Sequence, residues 1–125
     1  MLKLIFWNLV RQSKPCAPST LRFPQTNHIT LTLYIRLDTD THLWSLSVVA
    51  IGLLQEQNSL SEMVGWERGS WGYHSDDGSI MTANELLGTG KTFGPGQTVG
   101  LTVDAVRHRA AFSLDGEPVG KFVYL

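Results

Sequence analysis

Four places in the sequence carry side chains that could do chemistry. His74, Asp76 and Asp77 set a base beside two carboxylates, a grouping that elsewhere binds metal ions or passes protons. The other histidines, His28, His42 and His108, stand at no zinc-like spacing from His74, and the single cysteine, Cys16, cannot complete a site. The two aspartates also lack the alternating ligands and closing Glu of a calcium loop. Gly90-Lys91-Thr92 ends like a phosphate-binding loop, but Glu85 stands where that loop needs its first glycine. Phe93-Gly94-Pro95-Gly96 would then break the helix whose N-terminus has to hold the phosphate. Arg107-His108-Arg109 is basic but carries no interleaved aromatic, so it reads as a solvated hairpin tip and not as an RNA contact. Ser70 lies in Arg-Gly-Ser-Trp-Gly, which is not the nucleophile elbow Gly-x-Ser-x-Gly. The expectation is no enzyme, no cofactor, no metal and no nucleic-acid partner.

What remains is recognition. Gly65-Trp66-Glu67-Arg68-Gly69-Ser70-Trp71-Gly72-Tyr73-His74-Ser75-Asp76-Asp77-Gly78 holds four glycines, two tryptophans and a tyrosine. Glycine costs about 1 kcal/mol in a helix interior, whereas large aromatics suit a pleated, half-buried surface. Ser70-Trp71-Gly72-Tyr73-His74 is therefore expected as a short strand, with Trp71 and Tyr73 on one face and Gly72 and His74 on the other. Ser75-Asp76-Asp77-Gly78 reads as the turn that leaves it.

The elements that must position this stretch are also strands. Ile29 to Leu37 alternates strictly between aliphatic residues and Thr, Tyr or Arg, the pattern of a half-buried strand, and Asp38-Thr39-Asp40-Thr41 ends it as a turn. Trp44 to Leu54 is a second strand, and Val48-Val49-Ala50-Ile51 does not alternate, which predicts burial on both faces. Thr98 to Asp104, Ala110 to Leu114 and Val119 to Val123 follow, with Asp115-Gly116 as a hairpin signal. Ile80 to Leu87 is expected as a loop, with at most a turn of helix at Ala83-Asn84-Glu85-Leu86. Short strands between regular turns argue an all-β fold, an antiparallel β-sandwich.

A length of 125 residues with 42% apolar content allows one domain with a core. Net charge is only -1 but is unevenly spread. Residues 1–37 carry Lys3, Arg11, Lys14, Arg22, Arg36 and no acid, while the remainder holds five basic and eleven acidic residues. Pro15, Pro18 and Pro24 read as a linker. The division expected is a divergent basic segment, 1–43, with one strand at about 29–37, followed by a folded unit at 44–125. Leu2 to Val10 is too short for a membrane span and is expected to cover a sheet edge or to be an unstructured tail, so that residues 1–24 should be dispensable for folding. The lone cysteine and the poor fit to a secretory signal put the chain in the cytoplasm or nucleus, with a mitochondrial transit segment as the alternative.

The stretch from Gly65 to Gly78 resembles the signature of SPRY domains, in particular the Ran-binding-protein-M-like group. Gly88-Thr89-Gly90-Lys91-Thr92-Phe93-Gly94-Pro95, Val99-Gly100 and Phe112-Ser113-Leu114-Asp115-Gly116 follow in that family's order, and Ile51-Gly52-Leu53 stands where it has Ile-Gly-Phe. Val64 replaces a proline, and Leu114-Asp115-Gly116 replaces Lys-Asn-Gly. The resemblance implies a concanavalin-like sandwich, here resembling one without its last two strands. It also implies a protein-interaction role, as an adaptor or scaffold of the kind found in ubiquitin-ligase assemblies. Loops at one end of the sandwich would bind a partner peptide, with Tyr73 lining the surface and Trp66, Arg68, Asp76 and Asp77 beside it. The alternative is a non-autonomous SPRY fragment without binding of its own.

Overall fold

The computed structural model describes residues 2–10, 21–22, 30–37, 47–55, 57–58 and 62–125. In chain order its strands are β1 (Leu2–Val10), β2 (Leu21–Arg22), β3 (Thr30–Arg36), β4 (Ser47–Gln55), β5 (Ser70–His74), β6 (Ser79–Thr82), β7 (Glu85–Thr89), β8 (Thr98–Asp104), β9 (Arg109–Leu114) and β10 (Glu117–Tyr124). They form two antiparallel sheets, one ordered β2-β1-β4-β5-β6-β7 and the other β10-β9-β8-β3. The expected β-sandwich is therefore what the chain builds. The Asp38–Thr41 turn, the prolines at 15, 18 and 24, and Trp44 lie outside the described residues.

The core follows from period-2 alternation. Val49, Ile51 and Leu53 of β4 and Trp71 and Tyr73 of β5 face Val99, Leu101 and Val103 of β8, Ala110, Phe112 and Leu114 of β9, and Val119 and Val123 of β10. The Trp71 indole N–H donates across the gap to the Tyr124 carbonyl at 3.1 Å, which ties the two sheets together. As the unbroken apolar run predicts, β4 is buried on both faces, with Ala50 and Leu54 as inaccessible as their inward neighbours.

Two expectations are corrected. Ile80 to Leu87 is a β-hairpin and not a loop: β6 and β7 pair through Ser79↔Thr89 and Thr82↔Glu85. Its two-residue turn is Ala83–Asn84, with φ of 48° and 59°, the left-handed conformation that a tight hairpin needs and that Asn tolerates. Leu2 to Val10 is not an unstructured tail but covers an edge, as a full strand. It is a strand inside the larger sheet, paired with β4 from Leu2↔Gln55 to Val10↔Ser47 and flanked on its other side by β2. Residues 1–43 thus hold three described strands where one was expected.

The sandwich has two distinct ends. At one lie the Ala83–Asn84 turn, the 105–108 tip and Leu125, whose N–H donates to the His108 carbonyl. At the other lie the 75–78 turn, the 90–97 loop and the Asp115–Gly116 turn, the last with φ of 49° and 85°. The 90–97 loop closes that end through Gly90 N–H to Gly78 O and Phe93 N–H to Ser75 O.

Candidate functional site

The segment before β5 does not leave the sheet; it folds back over the outer face. Gly52 and Gly72 sit directly opposite each other on β4 and β5, so the outer face carries a bare trench there. Val64 lies in it, and a Cβ built on Gly72 would collide with the Val64 carbonyl. Met63 and Val64 are buried as a result. His74 reaches the same carbonyl from the far side at 2.7 Å; since a carbonyl can only accept, Nε2 carries the proton.

The rest of the loop is held at both flanks. Gly65 N–H donates to Ser70 Oγ, Trp66 N–H to Met63 O at 3.0 Å, and Gln55 N–H to Gly69 O at 2.9 Å. Asn58 Nδ2 donates to Arg68 O at 2.6 Å. The β6–β7 hairpin completes the frame, with Ala83 N–H donating to Glu67 O and Asn84 N–H to Gly65 O, both at 3.1 Å. On this fixed backbone Trp66 stands 43% exposed and Arg68 is exposed beside it. A notch of about 360 Å³ opens between Glu62, Trp66 and Asn84.

The expected site residues do not form one cluster. Trp66 and Arg68 share this loop. Asp76 and Asp77 are exposed at the other end of β5, a strand of five residues, or roughly 16 Å at about 3.3 Å per residue. There Asp77 Oδ1 accepts the Ser79 N–H at 2.8 Å, as a turn-stabilising carboxylate does. Partial burial pushes its carboxyl up, but hydrogen bonding from Ser79 and the nearby His74 outweigh that and hold it below the ordinary carboxylate range.

Tyr73 is a correction. It is 0% exposed, its ring packed against Phe93 at 4.6 Å and Phe112 at 5.7 Å between centroids. Its hydroxyl donates to the Lys91 carbonyl, and burial pushes its pKa up to about 12. The residue lines no surface; it pins the 90–97 loop to the core. The alternation that put Tyr73 on the same face as Trp71 had already placed it inward.

Two participants went unread in the sequence. Glu62 gave no local signal, since its place depends on the loop folding back over the trench. Asn84 was legible in principle as a left-handed turn residue between two short β-prone runs. Among the described residues no group of His, Cys, Asp or Glu is arranged to hold a metal, and no helix is long and apolar enough to cross a membrane.

Comparison with known proteins agrees with this architecture. Residues 39–123 match the family model of the SPRY domain. The chain is similar to the Ran-binding proteins 9/10 homolog of Drosophila melanogaster, 32% identical over 76 residues, which cover 58% of this chain and 8% of that protein. Ran-binding protein 9 of Xenopus tropicalis is likewise 32% identical over 76 residues, covering 58% of this chain and 13% of the relative. The Ran-binding protein M homolog of Arabidopsis thaliana is 35% identical over 77 residues, covering 58% of this chain and 16% of the relative. The chain thus spans a small part of the length of these relatives. A crystal structure of a human SPRY domain superposes with a TM-score of 0.64 at 19% identity, covering 98% of this chain and 71% of the other. Matched over most of its length by the family model and built as the same two-sheet sandwich, the chain belongs to the SPRY domain family.

Proposed function

We propose that this chain is a recognition module that binds a partner peptide through the loop at residues 62–69 and the adjoining Ala83–Asn84 turn. SPRY domains are generally protein–protein interaction modules and not enzymes. The finer reading, an adaptor or scaffold of the kind found in ubiquitin-ligase assemblies, rests on the resemblance to Ran-binding-protein-M-like sequences. Ran binding itself, which the relatives' names carry, is not transferred, because the chain covers 8–16% of those proteins.

One observation carries the site: an exposed Trp66 on a loop whose backbone is already fixed by the outer sheet face and the hairpin. Tryptophan and arginine supply most hot-spot energy at interfaces. A loop that is ordered beforehand adds no ordering cost on binding. Asp76 and Asp77 stand apart from this centre, in the 75–78 turn that Asp77 stabilises. Phage-displayed random peptides selected on the full chain test the reading. Trp66→Ala should weaken selected peptides by at least about 2 kcal/mol, the hot-spot threshold, and Arg68→Ala by less, with the thermal melt of each variant kept. Peptides that bind both variants as tightly as the parent would place recognition elsewhere.

A further inference from the structure

The notch beside Trp66 has a composition that selects its occupant. It is lined by Trp66, Glu62 and Asn84, residues that carry an aromatic ring, a carboxylate and an amide. Around it, residues 62–69 and 83–85 contain three acids, Glu62, Glu67 and Glu85, against one base, Arg68. Among the described residues the ion pairs are those of Asp104 with Arg107 and Arg109, beside the β8–β9 tip on the other sheet, and none joins a described cation to these acids. An apolar side chain in the notch would strip water from Glu62 and Asn84 and return no hydrogen bond. An anionic one would meet Glu62. A guanidinium or ammonium satisfies every wall: its charge lies over the indole face, its donors meet the Glu62 carboxylate and the Asn84 amide oxygen, and its aliphatic stem covers the rest of the ring.

We propose that this notch receives an Arg or Lys side chain of the partner peptide, its cation laid across Trp66 and paired with Glu62. The inference rests on the reading of the 62–69 loop as the recognition surface and names the residue that surface selects. Arginine is the better occupant, since a planar guanidinium stacks on the indole while its donors fork to the carboxylate. Arg68 lies outside the notch and is free to meet a carbonyl or carboxylate elsewhere on the same peptide.

The test uses the Trp66-dependent peptides from the selection, each resynthesised with its Arg and Lys residues changed to Gln one at a time. One basic position should matter, its replacement weakening binding roughly five- to tenfold, the scale of a partly desolvated cation–π contact with its ion pair. Glu62→Gln should weaken the parent peptide but not the Gln-substituted one, and Trp66→Phe should retain part of the affinity. Raising salt from about 0.05 to about 0.5 M should lower affinity for the parent peptide more than for its Gln form. Glu117→Gln, which removes a carboxylate at the opposite end of the sandwich, should change nothing. Trp66-dependent peptides whose basic residues can all be replaced without loss would overturn this inference and leave the recognition site standing. A selection that yields no Trp66-dependent peptide would contradict the site, and this inference with it.

Discussion

Tyr73 shows how much a single residue's setting decides. The family resemblance implied a surface role for it, yet the ring fills the space between Phe93 and Phe112, and the hydroxyl satisfies the Lys91 carbonyl. Tyr73→Ala should therefore cost about 3–5 kcal/mol of stability, as for other large aromatics cut from a core. Tyr73→Phe should cost about 1 kcal/mol, the typical net contribution of one hydrogen bond. Urea unfolding distinguishes the two, and any effect of Tyr73→Ala on binding should follow the loss of fold. The same phenol sets a pH dependence. Its folded pKa, about 12, lies above the ordinary value of 10.0, so its contribution is complete below the ordinary value and is lost as pH rises through the folded one. Stability should fall across that alkaline window, and Tyr73→Phe should fall less steeply, as melts at successive pH values would show. Trp66 is the converse case: half-exposed and outside the core, it should change stability by less than about 1 kcal/mol on truncation while weakening recognition by at least about 2 kcal/mol.

At the scale of elements, the sequence was readable wherever one alternating strand was enough. β3, β8, β9 and β10 fall where aliphatic and aromatic alternation and the Asp115-Gly116 turn put them, and β5 where the alternation of Trp71 and Tyr73 with Gly72 and His74 put it. What could not be read depended on two segments at once. The trench exists only because Gly52 and Gly72 come into register across β4 and β5, and the loop at 62–69 has its place only because of that trench. The β6–β7 hairpin was missed because Ala83–Asn84 lacks the glycine that usually marks a left-handed turn, and that hairpin frames the notch. Trp66, Arg68, Asp76 and Asp77 were gathered around the Tyr73 that the resemblance put at the surface, whereas a strand sends alternate residues to opposite faces and successive turns to opposite ends. The trench gives its own prediction. Gly72→Ala, which drives a methyl into the Val64 carbonyl, should destabilise by more than about 2 kcal/mol, as overpacking at a rigid contact does, and should loosen the loop. Gly88→Ala, where a Cβ would meet nothing within 4 Å, should be close to neutral. Denaturant melts of the two variants give the comparison.

At the scale of the whole molecule, the N-terminal strand changes what the chain needs in order to fold. β1 pairs with β4 along the full length of both strands, from Leu2↔Gln55 to Val10↔Ser47. Removing residues 2–10 would strip one side of a strand that is otherwise central, leaving a row of unpaired backbone groups next to the core. The deletion should lower the thermal midpoint by several degrees and promote association; an unchanged melt would show that β1 adds nothing to the sandwich. Together the two sheets set a fixed loop at one end and a fixed turn at the other, and recognition is assigned to the first. Amide hydrogen exchange of the full chain, with and without a selected peptide at saturation, tests that assignment most directly. Protection should rise at residues 62–69 and 83–85 and stay level at 75–78 and 90–97; protection confined to 75–78 and 90–97 would contradict it.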